Sequence, residues 1–162
     1  MGYPSAMTDW SLLVKALDTA HWEMGEAFKG LPDSEVWKRP HPRLLSVGEL
    51  AAHVGYWEAK SFLGDEFVSP LIIENAQYYK LTIDEPIQLD LGAEAVYTEL
   101  KRIHEASRSA FLSESRDKDD ACPYREGWTW GMMVEYQVFH LSYHTGQMYS
   151  VRYLLGHDPV DN

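Results

Sequence analysis

Two histidines, His140 and His144, lie four residues apart in the apolar segment FHLSYHTGQM. On an α-helix this spacing puts both side chains on one face, about one turn apart. Two imidazoles so placed can reach one ion at about 2.1 Å, the usual zinc–nitrogen distance. Gln137 and Gln147 extend the same polar stripe. The segment therefore carries either part of a metal site or a stripe of core side chains hydrogen-bonded to tyrosine or backbone groups.

A third histidine, His53, favours the metal interpretation. It lies between Leu50, Val54 and Trp57, on the side of a predicted helix that should be buried. Three histidines that face the interior of one helix bundle are hard to explain by packing alone, whereas bundles commonly hold metals between facing helices. Three neutral imidazoles leave a divalent ion at least one open coordination position, which is typical of catalytic rather than structural sites.

The remaining histidines and the single cysteine have no partner at ligand spacing. His21 is expected to be a core or rim residue on the first helix, and His104 is ambiguous on the third. His41 and His157 are predicted to lie in loops. Cys122 follows several acidic residues, which disfavour a thiolate, so it is a poor candidate nucleophile.

Two polar residues close to the histidines each allow two interpretations. Glu49, one turn before His53, either orients the imidazole ring or only completes a capping box with Ser46, and the capping box is favoured. Gln147, close to one turn beyond His144, either contacts a ligand or satisfies buried polar groups. The sequence leaves the second choice open.

Aromatic residues border the polar stripe and are candidate pocket walls. Trp57, Tyr136 and Tyr143 are the three candidates, although aromatic residues at helical spacing are more often core. Helical spacing places Tyr136, Tyr143 and Leu154 broadly on the buried side. No acid or base is unambiguous beside the three histidines, so the catalytic residues stay unassigned.

Four segments with the 3.6-residue period of amphipathic helices predict the architecture. The helices are expected at about 8–29, 46–64, 90–111 and 129–155, with caps at Thr8 or Asp9, Ser46 and Thr129 and a stop at Gly156. The connection 65–90 exceeds the usual loop length, which indicates a crossover that covers one end of the bundle or lines a site. We predict an all-α four-helix bundle with minimal strand content.

Composition limits the cellular compartment and the partners of the protein. The 162 residues predict a single domain, 1–162, and the net charge of −11, with 14 basic against 25 acidic residues, disfavours nucleic acid and anionic membranes. No apolar run is long enough to span a membrane, and the N-terminal residues have no signal-peptide pattern. With one cysteine, these features predict a cytoplasmic protein.

Together, His53 in SVGELAAHVGYWE and the motif HLSYHTGQ resemble the DinB-like (DinB/YfiT-like) family of metal-binding four-helix bundles. The resemblance covers nearly the whole chain. It implies an up-down-down-up bundle, often a homodimer, in which His53, His140 and His144 bind a divalent metal. Zinc or nickel is expected first, with manganese and iron as alternatives. Some relatives act with low-molecular-weight thiols as transferases or isomerases, and others are described as hydrolases.

Two classes of function follow from these observations. The first is a metal-dependent enzyme whose small-molecule substrates include a low-molecular-weight thiol, with transferase chemistry favoured over hydrolysis. The second is a stress protein that holds a metal or small ligand without turnover. Because only neutral imidazole binds metal, affinity is expected to weaken below the ordinary histidine pKa of about 6.5.

Overall fold

The computed structural model describes residues 10–73, 76–77 and 84–158, and it confirms the all-α four-helix prediction. Within these ranges the β pairing is a single isolated bridge between Ala121 and Thr129. A 3₁₀ turn at Asp33–Glu35 follows the first helix. The four long helices are α1 Trp10–Glu26, α2 Val47–Phe62, α3 Ala93–Ser113 and α4 Trp130–Leu155.

An aromatic cluster at one end of the bundle shows how the helices run. Phe111, near the end of α3, contacts Trp10 at the start of α1 and Phe62 at the end of α2. Trp130, at the start of α4, contacts both phenylalanines. The starts of α1 and α4 therefore meet the ends of α2 and α3, which is an up-down-down-up arrangement. The main packing pairs are α1 with α4 and α2 with α3.

Local capping explains most of the helix boundaries. The Ser46 hydroxyl accepts a hydrogen bond from the Glu49 backbone amide, the Glu49 carboxylate accepts one from the Ser46 amide, and Thr129 caps α4. Gly156 ends α4 with a φ of 89°, a left-handed conformation that glycine adopts without strain. The prediction for the fourth helix is confirmed. The proposed caps Thr8 and Asp9 lie outside the described residues.

Helix α3 begins three residues later than predicted because its cap comes from elsewhere in the chain. The Asp33 carboxylate accepts a hydrogen bond of 2.8 Å from the Ala93 amide. Gly92 precedes this amide, and a β-carbon at that position would collide with the Asp33 carboxylate. A carboxylate near the first amides of a helix satisfies an otherwise unpaired donor and interacts favourably with the helix dipole.

The described part of the crossover between α2 and α3 packs on α2. Ala76 and Ile87 are buried against Ala52 and Tyr56, and they form a small apolar cluster. No helix in the described ranges is long and apolar enough to cross a membrane.

Candidate metal centre

Three buried histidines from α2 and α4 converge at the centre of the bundle. His53, His140 and His144 are 7%, 6% and 4% exposed, and one ring nitrogen of each lies within 4.8 Å of the others. The Nε2 atoms of His53 and His140 are 3.2 Å apart. Two nitrogens bound at 2.0–2.1 Å to one tetrahedral ion would be about 3.3 Å apart. The observed separation therefore fits two ligands of one ion.

Hydrogen bonds to Nδ1 orient two of the three rings. His53 Nδ1 donates to the Ala76 carbonyl at 2.7 Å, and His144 Nδ1 donates to Gln147 Oε1 at 2.7 Å. With the proton on Nδ1, the Nε2 lone pair of each ring is available to a metal ion, which is the usual outer-shell arrangement of metal-binding histidines. The crossover thus supports the site through Ala76, which the sequence did not single out.

The third ring, His140, is held differently. Its Nδ1 is buried and has no hydrogen-bond partner among the residues that the structure describes. The ring stacks on Tyr136 with a centroid distance of 5.7 Å and an interplanar angle of 13°. Packing rather than a second hydrogen bond therefore sets its orientation.

Burial keeps the three imidazoles neutral. Desolvation, together with charge repulsion from His144 and His53, lowers the pKa of His140 to about 3. Desolvation and His53 lower the pKa of His144 to about 4, against the opposing effect of its bond to Gln147. Burial also lowers the pKa of His53. The ordinary pKa used in the sequence analysis was therefore too high for this site, and protons compete with a metal only under more acidic conditions.

Glu49 and Gln147 have separate roles in the structure. The Glu49 carboxylate accepts hydrogen bonds from Ser46, Arg39 and the Ile87 amide, so the capping-box interpretation is confirmed. The ring nitrogen that Glu49 was considered to orient is instead bonded to the crossover carbonyl described above. Gln147 supports the site directly through its bond to a candidate ligand ring.

We expect Gln147→Leu to weaken metal affinity about 10–100-fold, the usual cost of losing an outer-shell partner. The leucine removes the acceptor that fixes the tautomer of His144, while the half-buried position tolerates the change. Gln147→Glu keeps an acceptor and is the matched control, with affinity close to wild type. Titration against a chromogenic zinc chelator measures both. Equal affinity of the leucine and glutamate variants would contradict this role.

Of the three aromatic residues considered as pocket walls, two line the pocket and the third, Tyr143, lies largely at the surface. Trp57 donates to the Gln77 carbonyl and, like Tyr136, lines a pocket beside His53 and His140. Tyr143 is 53% exposed; its ring packs edge-on against that of His144, with centroids 5.0 Å apart, and its hydroxyl accepts a 3.3 Å hydrogen bond from Gln147. Its placement on the buried side, and that of Leu154, was wrong. Tyr143 directly precedes His144, and the rotation of about 100° between successive residues turns it away from the buried face. Leu154, near the end of α4, is 63% exposed.

The pocket has a volume of about 490 Å³ and opens onto two of the three histidines. Its remaining lining combines aromatic, polar and basic side chains and includes Lys60, Ser61, Tyr124, Arg125, Met133 and Gln137. Gln137 belongs to the polar stripe predicted from the sequence, whereas Lys60 and Arg125 were not predicted. Neither basic residue belongs to a motif, and only the packing of the 114–129 segment against α2 and α4 reveals them.

A second buried cluster joins α1, α2 and α3. Glu58, fully buried, accepts hydrogen bonds from His21 at 2.6 Å and His104 at 2.9 Å, and His104 also bonds Asp18 at 3.0 Å. Burial alone would raise the pKa of Glu58, but the two histidines lower it to about 2. Against burial, Glu58 and Asp18 raise the pKa of His104. This network was not predicted from the sequence.

The geometry of the second cluster fits an ion-paired network better than a metal site, although its three potential ligand atoms also lie within 4.8 Å of one another. Its nitrogen–oxygen distance of 2.6 Å is shorter than the separation of about 3.3 Å expected for two ligands of a tetrahedral ion. The rings of His21 and His104 are also stacked, with centroids 3.8 Å apart. The three-histidine group is therefore the better candidate for a metal site.

Comparison with protein-family models, with curated proteins and with solved structures found no match to this chain. What is established is an all-helical four-helix protein with a buried group of three histidines that could hold a metal ion.

Proposed function

We propose that this protein is a metal-dependent transferase that joins a low-molecular-weight thiol to a small electrophilic substrate. The observation that carries the proposal is the pocket, which brings solvent-accessible space to His53 and His140, two of the three candidate ligands. A structural metal site would be closed by protein groups, whereas a catalytic site keeps a position open to substrate. The resemblance of the histidine motifs to the DinB-like family supports the same assignment.

The donor set suits a divalent ion such as zinc or nickel, with His53, His140 and His144 as its ligands. When bound, the ion supplies Lewis-acid chemistry that favours the deprotonated form of a thiol near neutral pH. Among the residues that the structure describes, the pocket lining includes no aspartate or glutamate, so none of them offers a carboxylate base there. Trp57, Tyr136 and Met133 instead provide an apolar wall that holds the electrophile and excludes water from it.

Conjugation of 2-mercaptoethanol to 1-chloro-2,4-dinitrobenzene tests the reaction. The thiol sulfur bonds to the ring carbon, chloride leaves, and the thiol proton passes to solvent, so the product is followed by absorbance. Metal-loaded wild type should exceed the uncatalysed rate, and His140→Ala should lose that excess. His157→Ala is the control, because its ring bonds Glu35 away from the site. No rate above background with this or other small thiols would contradict the proposal.

We also propose a homodimer that forms through the outer face of α4. Met132, Phe139 and Tyr143 are 45%, 61% and 53% exposed and share that face, and an exposed apolar surface of this kind is typical of an interface. Sedimentation velocity at micromolar concentration should give the dimer mass, and Phe139→Glu should shift it towards the monomer. A monomeric wild type would contradict the proposal.

A further inference from the structure

The pocket beside the three histidines is basic in an otherwise acidic chain. Lys60 and Arg125 line it, and no aspartate or glutamate within the described ranges does, although the chain has 25 acidic residues against 14 basic ones. Lys60 is ion-paired with Asp65, an exposed residue outside the lining. The local charge therefore favours an anionic ligand.

Arg125 is held in place without being neutralised. Its guanidinium carbon lies 3.7 Å from the centroid of the Trp128 ring and 5.5 Å from that of Tyr136. Stacking of this kind uses the face of the guanidinium and leaves its N–H edge available. Among the described residues Arg125 has no carboxylate partner within ion-pair distance. That free edge matches a carboxylate or a phosphate, which arginine binds with two parallel hydrogen bonds.

Gln137 gives a second, independent indication of what the ligand must carry, namely a hydrogen-bond donor. Its Nε2 donates to Ser61 Oγ at 2.8 Å and lies 3.5 Å from the Trp57 carbonyl, which settles the orientation of the amide. The residue is 1% exposed, and its Oε1 has no hydrogen-bond partner in the described part of the chain. An unpaired buried acceptor is unfavourable. Because Gln137 lines the pocket, an N–H or O–H of a bound molecule can satisfy it.

We infer that the pocket binds a small molecule that carries both an anionic group and an N–H or O–H donor. Arg125 binds the anion, Gln137 accepts from the donor, and the aromatic wall covers the apolar part. The inference deepens and rests on the proposed function, since it assigns these groups to the thiol substrate of the three-histidine site. It makes Arg125 and Gln137 binding residues for that substrate.

N-acetylcysteine and its uncharged amide form a matched pair of probes, because both carry the thiol and the acetamide N–H and only the first has a carboxylate. Isothermal titration calorimetry at pH 7.5 should show at least about tenfold tighter binding of the acid to metal-loaded wild type, the usual gain of a charge-assisted hydrogen bond. Inorganic phosphate should compete with the acid if the site accepts either anion. Equal binding of acid and amide would overturn the inference.

Two variants separate the proposed contacts. Arg125→Gln should bring the acid-to-amide affinity ratio close to one, while Arg43→Gln, a change at an exposed arginine outside the pocket lining, should leave the ratio unchanged. Gln137→Leu should weaken both probes by a similar factor, because both donate the same N–H. A wild-type ratio in Arg125→Gln would overturn the role of that residue whether or not Gln137→Leu folds.

The same titration in chelator-treated protein distinguishes this inference from the proposed metal function. Without metal both probes should bind more weakly, but the preference for the acid should persist because Arg125 acts without the ion. If the protein takes up no metal at all, the proposed function fails while the acid-to-amide ratio still tests the pocket. A preference seen only with metal would mean that the carboxylate binds the ion, and the inference would be wrong.

Discussion

Purified protein incubated with Zn²⁺ or Ni²⁺ at pH 7.5 and then desalted is expected to retain one ion per chain, measured by inductively coupled plasma mass spectrometry. His53, His140 and His144 converge, and their lowered pKa values keep them neutral at pH 7.5, so binding requires no deprotonation. Little reorganisation is needed because the crossover carbonyl and Gln147 hold two rings in the required tautomer.

Replacing any one of the three histidines with alanine should weaken binding by more than the roughly 10–100-fold cost of losing an outer-shell partner. His157→Ala should retain the wild-type stoichiometry. Circular dichroism should show that the single variants stay helical, because the bundle has its own apolar core and does not depend on the ion. A wild-type protein that takes up no divalent metal, or a triple variant that binds as well as wild type, would show that this is not a metal site.

The burial of the three histidines also determines how the stability of the protein without bound metal depends on pH. The pKa values of His140 and His144 are about 3 and about 4 in the folded protein, against an ordinary value of 6.5. The unfolded chain therefore binds protons first, and the free energy of unfolding should fall as pH drops below about 6.5, with a loss on the order of a few kcal/mol by pH 4. Metal occupancy of the folded fraction should persist to lower pH than 6.5.

The second large effect is expected at Glu58. Glu58→Gln should lower the free energy of unfolding by about 3–5 kcal/mol, because it leaves the charged His104 in the bundle interior without its buried partner. For a chain of this length that corresponds to a decrease in melting temperature of roughly 6–20 °C. Differential scanning calorimetry and urea denaturation measure the change.

Glu99→Gln is the matched control on the neighbouring helix. Glu99 pairs with Arg102 at a site that is partly open to solvent, where an ion pair contributes about 0–1 kcal/mol. A loss at Glu58 no larger than at Glu99 would contradict the role assigned to the buried network. Metal content should be unchanged in Glu58→Gln, whereas loss of metal there but not in the three-histidine variants would place the ion in the second cluster.

The pH dependence of the free energy of unfolding gives a further check on the Glu58 network. The pKa of Glu58 is lowered from 4.5 to about 2, so its contribution is present above pH 4.5 and is lost as pH falls towards 2. The pKa of His104 is raised from 6.5, so its contribution is complete below pH 6.5 and is lost as pH rises through the raised value. The stability difference between wild type and Glu58→Gln should therefore be largest at about pH 5–6.5.

Local patterns in the sequence were enough to predict the four helices. The 3.6-residue period, the Ser46 capping box and the Gly156 stop depend on residues within a few positions of one another, and each appears in the structure. The start of α3 could not be predicted in the same way, because its cap, Asp33, lies 60 residues before Ala93. The predicted convergence of three histidines followed from helical faces and is confirmed as geometry.

By itself, therefore, the sequence determined the helices, their caps and the histidines that face inward, because these depend on short-range periodicity. Tertiary packing decided which distant groups the other buried polar side chains bond to. Glu58 meets its two histidines across 37 and 46 residues of chain, and His53 finds its carbonyl partner 23 residues away in the crossover. It also decided which of the aromatic residues on α4 face the pocket and which face solvent. A buried polar atom must be satisfied by whatever the fold places beside it, and where that neighbour is distant in the chain no local pattern encodes it.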